Sequence, residues 1–133
     1  MIDIFSLSVE ELASKIKDSQ ITSVEVCKEY IKRINEFEKE VKAWAYFDKK
    51  ILLEKATDSD DHRRSGKPTG PLHGVPVAVK DIIGTVDMPT ECGTVIRKGK
   101  SYSQNAEIID LLNSAGALVM GKTATSELAY LGP

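Results

Sequence analysis

Ser8-Val9-Glu10-Glu11 sets a glutamate three residues after a hydroxyl, the capping-box spacing, and Val9, Leu12, Ala13 and Ile16 follow at helical intervals. Thr22-Ser23-Val24-Glu25 repeats that start signal. Val24, Cys27, Ile31 and Ile34 then form the apolar stripe of a longer helix. Cys27 lies on the stripe, so it reads as a small core residue rather than a reactive thiol. From Val41 to Phe47 the pattern alternates weakly, with Trp44 and Tyr46 on one face and Ala43 and Ala45 on the other. That predicts a strand or an extended connection. Ile51, Leu52, Lys55 and Ala56 predict a third helix, which runs into the charged cluster Asp58 to Arg64.

The pattern changes near Ser65. Gly66 to Gly74 is dense in turn formers, and Val75-Pro76-Val77-Ala78-Val79 is a short apolar run that predicts a buried strand. A second Gly/Pro/Thr stretch covers Gly84 to Thr94. Ile108, Ile109, Leu111 and Leu112 predict a helix stopped by Gly116. Ala117 to Met120 predicts another strand, Ser126 to Tyr130 the start of a helix, and Gly132-Pro133 a turn. Strand, helix, strand in this order implies an α/β fold. The expected organisation is a helical region over 1–65 and the start of an α/β core over 66–133. Two buried strands do not complete a two-sided sheet, so the chain reads as part of a larger domain.

Composition narrows the function classes. The 133 residues are 41% hydrophobic and 29% charged, ordinary for a globular protein. A formal net charge of -2 offers no global attraction to nucleic acid or an anionic membrane. No apolar run approaches the roughly 20 residues of a membrane helix. The first residues carry no basic and apolar leader pattern. Two scattered cysteines, Cys27 and Cys92, fit a reducing cytosol better than a disulfide framework, so a cytoplasmic location is expected.

Gly116 to Thr123 spells GxxxxGK[ST], the nucleotide-binding P-loop pattern. The context argues against it. A P-loop follows a strand and wraps flexible backbone around phosphate, whereas here a helix pattern comes first and the four intervening residues are apolar strand formers. The segment is read as a helix cap at Gly116 and a strand ended by Gly121.

Lys80 closes the apolar run from Val75 to Val79. Lysines are seldom buried without a partner or a role, and a desolvated lysine can serve as a base at neutral pH. From spacing alone, pairing with Asp81 or a snorkelling strand end competes with that reading. Asp81 is expected to orient backbone or pair locally. His73, in a Pro-Leu-His-Gly turn, is expected to bond local backbone rather than do chemistry. Asp60-Asp61-His62 is flanked by arginines and no second ligand cluster exists, so it reads as a solvated helix end rather than a metal site. Trp44 and Tyr46 read as core or intersubunit contact.

Gly70 to Asp81 resembles the segment around the catalytic lysine of the amidase signature family. Met88 to Thr94 resembles the loop that follows it, and Ala106 to Ala129 resembles that family's next block. The resemblance implies the N-terminal portion of a mixed central sheet flanked by helices, preceded here by amphipathic helices. It implies amide hydrolysis by a Ser-Ser-Lys triad, with Lys80 as base toward a bridging serine beside a cis peptide bond. Neither serine has a counterpart in these residues. Thr90, Glu91 and Thr94 are candidates for support of the active-site loop. No cofactor and no metal are implied. The implied partner is a small amide substrate, with dimerisation, common among relatives, an option to which the front helices could contribute. A related reading is the A subunit of a tRNA-dependent amidotransferase, which takes ammonia from glutamine. A reading of another class is an inactive fragment or interaction module. Asn105 stands where many relatives have aspartate and Ala124 where many have asparagine; the Gly-Lys-Thr-Ala-Thr-Ser-Glu form is more similar to malonamidase-like, small-amide enzymes.

Overall fold

The computed structural model describes residues 2–130, so the turn expected at Gly132-Pro133 lies outside the described residues. Both front helices begin where their caps predict. Helix α1 (Val9–Lys17) starts with the Ser8 hydroxyl accepting from the Glu11 amide at 3.2 Å and the Glu11 carboxylate accepting from the Ser8 amide at 2.7 Å. Helix α2 (Ser23–Val41) repeats this with Thr22 and Glu25. It extends to Val41, so the extended segment begins later than the alternation suggests. Lys42 takes the left-handed conformation at φ 51°, and the Glu38 carboxylate accepts from the amides of Ala43 and Trp44 at 3.1 and 3.0 Å. These bonds turn the chain into strand β1 (Trp44–Phe47).

Asp48 caps helix α3 (Lys49–Arg64), which carries the whole charged cluster in helical form. Its charges do not all face water. Asp60 is buried and accepts from the amides of Ser23 and Val24 at 2.9 and 3.0 Å, stapling α3 to the start of α2. The expectation of a solvated helix end is wrong at this residue. A carboxylate on free helical amides, at the positive end of the helix dipole, is a stable buried arrangement.

Strand β2 (Pro76–Lys80), helix α4 (Glu107–Ser114) and strand β3 (Leu118–Thr123) form the second half. Gly116, at φ +85°, ends α4 in a Schellman turn, with the Ala117 amide on Leu112 O and the Gly116 amide on Asn113 O. The sheet order is β1-β3-β2, with β3 antiparallel to β1 and parallel to β2. The front half therefore contributes a strand to the sheet of the second half. Beyond β3, the expected helix from Ser126 is a single distorted 3-10 turn, Glu127–Ala129, broken by Leu128 at φ 51°.

Two irregularities decide which side chains share a face. The β1–β3 register shifts between Trp44 and Tyr46. Trp44 and Phe47 consequently pack with Cys27, Leu52, Leu118 and Met120 beneath α2 and α3, while Tyr46 packs with Val79, Met88, Ile109 and Val119. The sequence pattern puts Trp44 and Tyr46 on one face; the bulge separates them. Gly121 does not end β3 but lies within it. A Cβ there would stand 2.6 Å from Tyr46 O and 2.8 Å from the Trp44 ring. The glycine is what lets the indole lie against the strand. The second irregularity falls between Val77 and Ala78, where β3 slips by one residue against β2.

Candidate active site

β2 and β3 run parallel, so their carboxyl ends, Lys80 and Thr123, finish side by side. The Asp81 amide donates to Thr123 O at 3.0 Å and ties the two ends together. In α/β sheets this is the edge at which ligands bind. Lys80 stands there, and among the described residues its side chain is exposed. The reason is alternation on an outer strand: Val79 packs inward against Met88 and Ile109, so Ala78 and Lys80 turn to the uncovered side. Among the described residues, Lys80 forms no ion pair with Asp81.

Asp81 points the other way and is 1% exposed. Its Oδ1 accepts from the Glu91 amide at 3.2 Å, its carbonyl accepts from the Cys92 amide at 2.9 Å, and its Oδ2 is buried without a hydrogen-bond partner. It orients backbone, ten residues along the chain. The stretch from Ile82 to Thr94 is thereby a closed loop whose two ends meet at Asp81. Thr90 and Thr94 are buried in this loop, with Glu91 partly so. The Thr94 hydroxyl donates to Glu127 Oε1 at 2.7 Å, and Glu91 Oε1 accepts from the Gly99 amide at 2.7 Å. Cys92 and Gly93 both take positive φ, and the Cys92 carbonyl accepts from the Leu128 amide at 2.8 Å. A Cβ on Gly93 would stand 2.6 Å from Thr125 O, so glycine is needed where the loop docks on the residues after β3.

The fully buried lysine is Lys122, which falls in the P-loop-like pattern and in the Gly-Lys-Thr-Ala-Thr-Ser-Glu block but is given no role by either. Its Nζ donates to Ile83 O at 2.7 Å and to the Thr90 hydroxyl at 2.6 Å. Burial pushes its ammonium down from the ordinary lysine value, against the opposing pull of Asp81, Asp87 and Cys92. Gly116 to Thr123 forms a helix cap and a strand, and its lysine is bonded inside the protein, so the phosphate-binding reading has no physical basis. A sequence signal for Lys122 exists: a lone ammonium beside β3 residues that are apolar or glycine.

Other candidates lie elsewhere. His73 is buried, and its Nε2 is 2.9 Å from Ser59 O and 3.1 Å from Ser59 Oγ, on α3 rather than on local backbone. It lines a cleft of about 480 Å³ with Ser59, His62 and Asn113. His73 and Gly116 precede β2 and β3, so this cleft opens at the opposite end of the strands from Lys80. Cys27 is buried in the core under α2, where desolvation pushes its thiol up to about 12. Among the described residues no three His, Cys, Asp or Glu side chains converge as a metal site would require. No described helix is long and apolar enough to cross a membrane.

The Amidase family's model matches residues 25–132. A protein named putative amidase AmiD from Mycobacterium tuberculosis is 37% identical over 129 residues, covering 97% of this chain and 27% of the relative. The A subunit of glutamyl-tRNA(Gln) amidotransferase from Salinispora tropica is 36% identical over 129 residues, covering 97% of this chain and 26% of the relative. Among solved structures, the native peptide amidase from Stenotrophomonas maltophilia superposes with a TM-score of 0.85 at 30% identity, covering 92% of this chain and 25% of that one. The chain thus spans about a quarter of the length of the relatives it matches. The shared fold and a match extending over both halves of the sequence make this chain a member of the amidase signature family.

Proposed function

We propose that the chain supplies the lysine-bearing part of an enzyme that hydrolyses a carboxylic amide to an acid plus ammonia or an amine. The observation that carries this reading is Lys80 at the carboxyl end of β2, on the ligand-binding edge of a parallel strand pair, in a member of the amidase signature family. In the proposed reaction a nucleophilic serine attacks the amide carbonyl while its proton passes through a bridging serine to Lys80. The C–N bond then breaks, the proton leaves with the amine, and water cleaves the acyl-enzyme to release the acid. Both serines come from residues other than these 133. The loop carrying Thr90, Glu91 and Thr94 supports the site through its own hydrogen bonds and does not take part in the chemistry.

A second reading, the A subunit of an amidotransferase, is favoured by the 36% identity to the Salinispora protein. It shares the lysine chemistry and differs in substrate. The test is ammonia release from butyramide and from L-glutamine by the full-length protein carrying this segment. Lys80→Ala is expected to lower turnover by roughly 10²- to 10⁴-fold, the usual contribution of a positioned proton acceptor. Turnover of glutamine alone favours the second reading, and a Lys80→Ala variant with unchanged turnover removes Lys80 from both. The 133-residue chain by itself is expected to release no ammonia from either compound; turnover by the purified chain contradicts the proposed division of the triad.

A further inference from the structure

We propose that Lys122, Thr90 and Asp81 form a buried polar clamp that holds the loop after Lys80 against β3, and that Lys122 is thereby a positioning residue for the catalytic lysine. The inference rests on the reading of Lys80 as proton acceptor.

Lys122 is 0% exposed, and no carboxylate lies within ion-pair distance of it among the described residues. Burying an ammonium without a contacting counter-charge is costly, and an apolar side chain of similar length would serve packing better. What an apolar side chain lacks is a set of directed donors. Two of the three ammonium N–H groups are committed, one to Ile83 O at 2.7 Å and one to Thr90 Oγ1 at 2.6 Å. These acceptors sit near the start and near the end of the same loop. The third member is Asp81, which holds the loop's far end itself, with its Oδ1 accepting from the Glu91 amide at 3.2 Å and its carbonyl from the Cys92 amide at 2.9 Å.

The clamp reaches Lys80 through one residue. The Ile83 amide donates to Lys80 O at 3.0 Å, while the Ile83 carbonyl accepts from Lys122. On the next strand Lys122 is the register partner of Val79, and Thr123 is that of Lys80. Thr90 is itself fixed, with its amide on Lys100 O at 2.8 Å and its carbonyl accepting from Arg97 Nε at 3.3 Å. The loop's first turn, its far end and the neighbouring strand therefore converge on one ammonium. If it is removed, Thr90 Oγ1 loses its donor, Ile83 O keeps only the long 3.5 Å bond from the Thr90 hydroxyl, and the turn that fixes the Lys80 backbone is free to shift. Lys122 touches neither substrate nor the reacting atoms, so it acts only through that turn.

The test compares Lys122→Met, Thr90→Val, Thr90→Ser and Lys80→Ala in the full-length enzyme, reading kcat and KM for butyramide per folded molecule. Lys122→Met and Thr90→Val are expected to lower kcat by roughly ten- to a hundredfold, as misplaced catalytic groups do, with little change in KM. Thr90→Ser, which keeps the hydroxyl, is expected to recover most of that loss. The clamp is overturned if Thr90→Val keeps the wild-type kcat per folded molecule, or if Thr90→Ser is as impaired as Thr90→Val. Thr90→Val carries the test if Lys122→Met does not fold. Lys80→Ala separates the two layers: full activity in that variant overturns the underlying reading, whereas an inactive Lys80→Ala beside normal clamp variants overturns the clamp alone.

Discussion

On one side of β3, Leu118 and Met120 pack into an apolar layer built by Cys27 and Ile31 of α2 and Leu52 and Ala56 of α3. Around the carboxyl end of the same strand, Lys122 holds a loop of turn formers by two hydrogen bonds. The first region is fixed by area removed from water, which is insensitive to direction and tolerant of small shifts. The second is fixed by directed polar bonds, each of which is lost outright when a partner is removed. The comparison teaches where precision is kept: burial holds the helices on the sheet, and directed bonds fix the loop that follows Lys80.

The comparison breaks most visibly in the apolar layer. Leu52, 1% exposed, is expected to cost about 2–5 kcal/mol when changed to alanine, read by urea unfolding, with kcat per folded molecule unchanged. A smaller effect is expected at Gly121→Ala, about 1–3 kcal/mol, because the new Cβ must displace the Trp44 ring or the Tyr46 backbone. An unfolding midpoint equal to wild type would mean that the strand relaxes at no cost. Asp60→Ala leaves the buried Ser23 amide without its acceptor and is expected to cost a similar amount, about 1–3 kcal/mol.

pH sharpens the contrast further. The folded-state value of Lys122 lies below the ordinary lysine value of 10.5, so the folded chain releases this proton before the unfolded chain does. Between the two values the unfolded state binds more protons, and raising pH therefore favours folding. Wild type is expected to gain stability relative to Lys122→Met as pH rises toward 10.5; a pH-independent difference contradicts the charged buried state. The smallest effect is at the caps. Bonds from the Thr22 amide and hydroxyl hold Glu25 below its ordinary value of 4.5. Its stabilisation is full above that value and fades as pH falls through the folded value, so the gap between wild type and Glu25→Gln is expected to close in acid.

Legibility in the sequence follows the same division. The caps at Ser8 and Thr22 and the stop at Gly116 are local chemistry, and each element begins or ends where its residues dictate. The α/β class follows from element order. The burial of Asp60 is illegible because its amide partners lie 36 and 37 residues away, out of reach of any local pattern. Trp44 and Tyr46 fall on different faces because a bulge breaks the period on which the pattern depends. At the site, the blocks around Lys80 mark it out but not its exposure, because an outer strand turns every second residue away from the core. Lys122 is hidden for a related reason. Asking whether Gly-Lys-Thr binds phosphate does not reveal where the lysine goes when it does not.

The most direct measurement is turnover of butyramide and glutamine by Lys80→Ala and Lys122→Met full-length protein, side by side with their melting temperatures. The account predicts that Lys80→Ala loses turnover by roughly 10²- to 10⁴-fold while the protein remains folded. Lys122→Met is expected to lose turnover and change its melting point together. A Lys80→Ala protein that still hydrolyses amide at the wild-type rate contradicts the account.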